Sequence, residues 1–154
     1  MRNKLLFFVI SSIVLITAIS QANELSVTKL PVDSYRLEKV ELFNNQLISD
    51  LSMSDVDRWQ TQPLSIALKY LNGASAGKFI QITQKIPKGE NIEYPNTVIV
   101  TAIQDGYLDD SLRGEWVELT LKNNSKNIWL IKEAKRAFLC WRGENTKSFQ
   151  RFCP

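Results

Sequence analysis

The sequence predicts an α+β domain: one amphipathic helix packed on a four- or five-strand antiparallel sheet, closed by a C-terminal disulfide and preceded by an export signal. Three observations carry this. An apolar stripe at helical spacing lies between Pro63 and Asn72, several alternating runs separated by turn residues follow it, and an uncharged apolar run, Leu5 to Ile19, precedes both. A helix placed before a series of strands is left to cover one face of the sheet they form.

The first element is the signal. Arg2 and Lys4 precede the apolar run and Ser20-Gln21-Ala22 follows it, giving the positive end, apolar core and small-residue site of a secretory signal peptide. A permanent span needs roughly 20 apolar residues to cross about 30 Å of hydrocarbon, and Leu5–Ile19 is shorter. The first cysteine is Cys140, so the run lacks the adjacent cysteine of a lipoprotein anchor. The expected division is residues 1–22 as signal and 23–154 as a single α+β domain, with no membrane insertion after cleavage.

Residues 23–34 show no steady period and are expected to lie extended along the fold. Tyr35–Ile48 reads equally as an alternating strand or as a helix through Leu37, Val40, Glu41, Phe43 and Leu47, and periodicity alone does not separate the two. Pro63–Asn72 is the clear helix. Proline suits a first helical position, where its missing N–H has no partner to lose; Leu64, Ala67, Leu68 and Leu71 form one stripe, and Gly73 is placed to end it.

Strands follow. Lys78–Ile86 alternates and is broken by Pro87-Lys88-Gly89, and Thr97–Gln104 is a β-branched run closed by Asp105-Gly106. Glu115–Lys122 sets Val117, Leu119 and Leu121 on one face against Trp116, Glu118 and Thr120 on the other. The turn Asn123-Asn124-Ser125-Lys126 returns the chain through Asn127–Glu133, a hairpin, with Arg136–Trp141 continuing it or adding a fifth strand. Asn123-Asn124-Ser125 also matches a glycosylation sequon, which in a bacterial chain is only a turn. Cystatin-like and nuclear-transport-factor-like folds share this element order, an analogy of layout that carries no function.

Export turns the two cysteines, Cys140 and Cys153, into an expected disulfide, since oxidising compartments favour pairing. It would pin Phe149 and Phe152 against the sheet. The spacing is not the Cys-x-x-Cys of a redox-active pair. The run Asp109-Asp110-Ser111-Leu112-Arg113-Gly114, then Trp129, Ala134, Cys140-Trp141-Arg142-Gly143, Phe149 and Cys153, resembles a C-terminal module of small exported bacterial proteins of unassigned function. The resemblance implies a hairpin closed by a disulfide and no substrate. Where that module often has a histidine after the glycine, this chain has Glu144-Asn145.

Charge and composition narrow the chemistry. The whole chain carries +3, but Lys122–Pro154 holds eight basic and two acidic residues while Asn23–Leu121 holds nine basic and fourteen acidic. The basic tail either meets an acidic partner or pairs within the fold. Interleaved acids and a small net charge make nucleic acid a poor partner. The chain has no histidine, which removes Ser-His-Asp and Cys-His catalysis and the common zinc sites. No cofactor is expected.

Two candidate sites remain. Trp116 and Trp141, with Arg142 beside them, are the residues expected to form an exposed recognition surface, because tryptophan and arginine dominate binding hot spots. Asp109, Asp110 and Glu115 form the alternative, a carboxylate pair that protonates a leaving oxygen and activates water in a glycan. The expected function is accordingly an exported, non-enzymatic binding protein of the bacterial envelope, periplasmic or secreted, whose partner is an envelope or secreted protein. The alternative is a carboxylate-dependent hydrolase of cell-wall glycan.

Overall fold

The computed structural model describes residues 27–51, 58–71, 77–143 and 145–154. The expected signal and the expected helix stop at Gly73 lie outside these residues. The elements are a 3-10 turn at Val27–Lys29, β1 (Arg36–Leu37), α1 (Glu41–Leu51), a second 3-10 turn at Arg58–Thr61, α2 (Pro63–Tyr70), β2 (Phe79–Lys85), β3 (Thr97–Asp105), β4 (Leu112–Asn123) and β5 (Trp129–Cys140). The strands form one antiparallel sheet in the order β1-β5-β4-β3-β2. The fold is α+β, as the sequence predicts.

Two differences from the sequence reading have local causes. Tyr35–Ile48 is neither all strand nor all helix: β1 pairs with β5 through Arg36↔Arg136 and Leu37↔Lys135, and α1 begins four residues later, so the helical layer has two members where one helix is expected. In α2 the buried residues are Ile66 and Ala67, while Leu64 and Leu68 are exposed. The helix is rolled so that Tyr70 meets Phe43 of α1 edge-on, with ring centroids 5.2 Å apart.

Alternation along β3 and β4 sorts side chains between two cores. On one face Val98, Val100, Ala102, Val117, Leu119, Leu121, Ile131 and Ala134 pack under Val40 and Leu47 and under Ile66, Ala67 and Leu71 at α2. On the other, Ala137 and Leu139 are covered by Val27 and Phe149, with Leu30, Val32, Ile103 and Trp116 at the margin. β4 and β5 run as one long pair with register shifts at Leu112/Gly114 and Thr120/Leu121, so the expected fourth and fifth strands are one. The connecting turn is held by the Asn124 carboxamide oxygen, which accepts from the N–H groups of Lys126 and Ile128 at 2.9 and 3.0 Å. Asn127 takes a φ of 60° there, a left-handed conformation that asparagine tolerates.

Candidate functional site

The disulfide closes one end of the sheet. Cys140 and Cys153 are bonded, with Cα atoms 5.5 Å apart, and Phe149 is fully buried. Phe152, however, is 58% exposed: the bond holds the segment without pressing that ring inward. The β3–β4 connection lies at the same end, since Leu112 pairs with Cys140 and the Trp141 N–H donates to the Ser111 carbonyl at 2.9 Å.

Trp141 stands on this end, 49% exposed, with the Arg113 guanidinium 5.4 Å from its ring centre. Arg113 is itself fixed by a fork to Asp105, Nε to Oδ1 and Nη2 to Oδ2, both at 3.0 Å. The Arg151 guanidinium lies 5.1 Å from the Phe152 ring. Leu108 is 91% exposed on the β3–β4 connection, and Arg142 is exposed beside Trp141. Trp116 differs from the expectation of an exposed ring. It does face away from Val117, Leu119 and Leu121, but that face carries the second core, and Trp116 is half-buried against it.

Asp109, Asp110 and Glu115 are placed in different environments. Asp109 is exposed, and one of its oxygens accepts from the Ser111 N–H, the Ser111 hydroxyl and the Leu112 N–H at 2.8, 2.9 and 2.6 Å. The backbone N–H groups of Leu112 and Ser111 hold its carboxyl below the usual range. Asp110 is exposed on the same turn, whereas Glu115 is buried on β4.

Glu115 belongs to a part-buried charge cluster that sequence reasoning missed. Arg36 and Arg136 are direct cross-strand partners, an unfavourable pairing of like charges, and Glu38 lies between them. Arg36 Nη2 is 2.9 Å from Glu38 Oε1, Arg136 Nε is 3.1 Å from Glu38 Oε2, and Arg136 Nη1 bonds Glu115 Oε2. The Arg136 Nε–H is not aimed along a hydrogen-bond direction at Glu38, so that contact is chiefly electrostatic. The Tyr70 hydroxyl donates to Glu38 Oε2 at 3.0 Å, the Gln104 amide to Glu115 at 3.4 Å, and the Tyr107 hydroxyl to Gln104 Oε1 at 2.9 Å.

Burial pushes the Glu38 carboxyl up, but the Arg136 charge and the hydrogen bonds from Tyr70 and Arg36 outweigh it, leaving the group below its ordinary value. Burial and the Glu38 charge push the Tyr70 phenol up to about 12. Burial and Glu115 push Tyr107 higher still. A general acid needs a carboxyl kept protonated near working pH, and Glu38 is held the opposite way. The cluster ties β1, α2, β3, β4 and β5 together. Gly114 allows the close approach of β3 to β4 beside it, because a Cβ there would sit 2.2 Å from the Gln104 carbonyl oxygen.

No protein-family model, curated protein or solved structure matches this chain. Among the described residues no group of three or more carboxylate or thiol side chains is arranged to hold a metal ion, and no helix is long and apolar enough to cross a membrane.

Proposed function

We propose that the chain is an exported, non-enzymatic binding protein of the bacterial envelope, of the inhibitor, immunity or accessory type, acting in the periplasm or outside the cell. Its docking surface is the disulfide-closed end of the sheet, centred on Trp141 and Arg142. The observation that carries this reading is that Trp141, Phe152 and Leu108 stay exposed at a place where the backbone is held by strand pairing, a disulfide and the Arg113–Asp105 fork. Rigid exposed aromatics beside arginine lose little entropy on docking and supply most of the energy at protein interfaces. Arg142 and Arg151, from the basic end of the sequence, favour a partner that presents carboxylates around an apolar centre. The signal-like Leu5–Ile19 run and the Cys140–Cys153 bond support the compartment.

The glycan-hydrolase alternative has less support. Asp109 uses its carboxylate on its own turn, Asp110 lies in solvent, and Glu115 is engaged by Arg136.

The test is capture of a partner by the oxidised, tagged protein from its own envelope extract, with Trp141→Ala/Phe152→Ala as control. Trp116→Ala is a poor control, because it would disturb the second core. The expected result is one stoichiometric protein held by the parent, with affinity reduced about 30-fold or more in the variant. Equal capture by both proteins would reject the surface. Absence of capture together with release of sugar from purified cell wall would reject the binding reading itself.

A further inference from the structure

The sheet has two edges of opposite character. β1 is two residues long and is followed by Glu38 and Lys39, so it offers little to pair with. β2 is seven residues long, Phe-Ile-Gln-Ile-Thr-Gln-Lys, with Lys85 its only charge and no proline. Its pairing with β3 runs without a register shift. Every residue of β2 is exposed except the half-buried Ile82. Proteins usually blunt edges with charge, proline, bulges or short length; the interior of β2 has none of these.

We infer that β2 pairs with β2 of a second copy of this chain, about a two-fold axis at Ile82, joining two five-stranded sheets into one. The sequence of β2 fits itself in that register. Gln81 stands opposite Thr83 of the second copy, Ile80 opposite Gln84, and Phe79 opposite Lys85. Opposed residues of an antiparallel pair share a face, so each meeting is apolar with apolar, amide with hydroxyl, or aliphatic with amide, and Lys85 meets the Phe79 ring. No like charges oppose one another, a meeting that would destabilise a cross-strand match.

The register also supplies a second contact. A groove of about 560 Å³ lies at the far end of β2, lined by Gln84, Ile86, Pro87 and Ile92 among others. Ile80 of the second copy, opposite Gln84, arrives beside it. Ile80 is 41% and Ile92 81% exposed in the single chain, and the contact would cover both. Such an interface is isologous and closes on itself, so assembly stops at two.

The experiment is sedimentation of the oxidised parent across a concentration series reaching ~100 µM, a range that reports micromolar association. Two charge variants accompany it, Gln81→Glu/Thr83→Glu and Gln81→Lys/Thr83→Lys. The parent should sediment as a dimer, each variant alone should associate about tenfold more weakly or worse because two like-charge pairs now face each other, and an equimolar mixture of the variants should recover dimers. A parent that stays monomeric, a variant that dimerises like the parent, or a mixture that fails to recover would overturn the inference. Amide exchange in the parent gives a readout free of mutation: protection at residues 80–84 should rise with concentration, and concentration-independent protection would count as refutation. Neither readout involves Trp141, so this inference and the docking surface fail separately.

Discussion

Replacing Arg136 with methionine should destabilise the fold by about 3 kcal/mol at neutral pH. Arg136 neutralises Glu115, whose side chain is 11% exposed, and Glu38, at 19%. Removing one partner of a buried ion pair costs about 3 to 5 kcal/mol because the other charge is left desolvated and alone. Partial exposure and the remaining contact with Arg36 lower that figure for Glu38, so the lower end is the expected value.

The pH dependence gives the sharper check. Glu38 is depressed below 4.5 in the folded protein, so its contribution is present above the unfolded value and is lost as pH falls through the folded one. In the variant the Arg136 contribution is gone while those of Arg36 and Tyr70 remain, so the Glu38 carboxyl is held down less. The difference between parent and variant should therefore shrink as pH falls from 7 to about 3.5. Urea unfolding with the disulfide intact measures both values. A loss under about 1 kcal/mol at pH 7, or an equal loss at the two pH values, would show that the cluster does not act as described.

Breaking the Cys140–Cys153 bond by Cys140→Ser/Cys153→Ser should lower stability by on the order of 3 kcal/mol, the loop-closure figure for a link of this span, and amide exchange should accelerate first around Phe149. Alkaline titration should show phenol absorbance still rising above pH 11, since Tyr70 is raised to about 12. Stability should be undiminished by this group below the unfolded value near 10 and fall as pH rises from there to about 12; Tyr70→Phe should abolish that part of the loss, and an unchanged alkaline unfolding profile would contradict it.

The sheet was legible because burial imposes a period of two. Val117, Leu119 and Leu121 share a face by alternation alone, and the Asn123–Lys126 turn sets their neighbour β5, whereas the register that brings Val98, Val100 and Ala102 beside them comes from the fold. β1 was not separable from α1, since two residues are too few to display a period and their pairing partners lie about a hundred residues away. The charge cluster was half legible: Glu115 shares the parity of Val117 and Leu119, and Arg136 shares that of Ala134, so both were bound to point inward with them. Glu38, Tyr70 and Tyr107 reach the same place only through the tertiary fold, and no spacing announces them. The period of two puts Trp116 on the face opposite Val117, and nothing local in the sequence shows that Val27 and Phe149 cover that face.

That cover has a consequence for how the chain becomes native. Val32 bridges Phe149 in parallel, the Phe149 N–H donates to the Pro31 carbonyl, and the Asp33 carboxylate accepts from Ser148 and Asn145 at 2.6 and 2.7 Å. Contacts so distant in sequence bear the full cost of loop closure before any reward. A chain growing from its amino end would present Val27, Leu30 and Val32 to solvent until residues 145–150 had also been added. The second core is thus a completion step that waits for the last residues of the chain, and the interval before it is when a holding chaperone or a protease would find this protein.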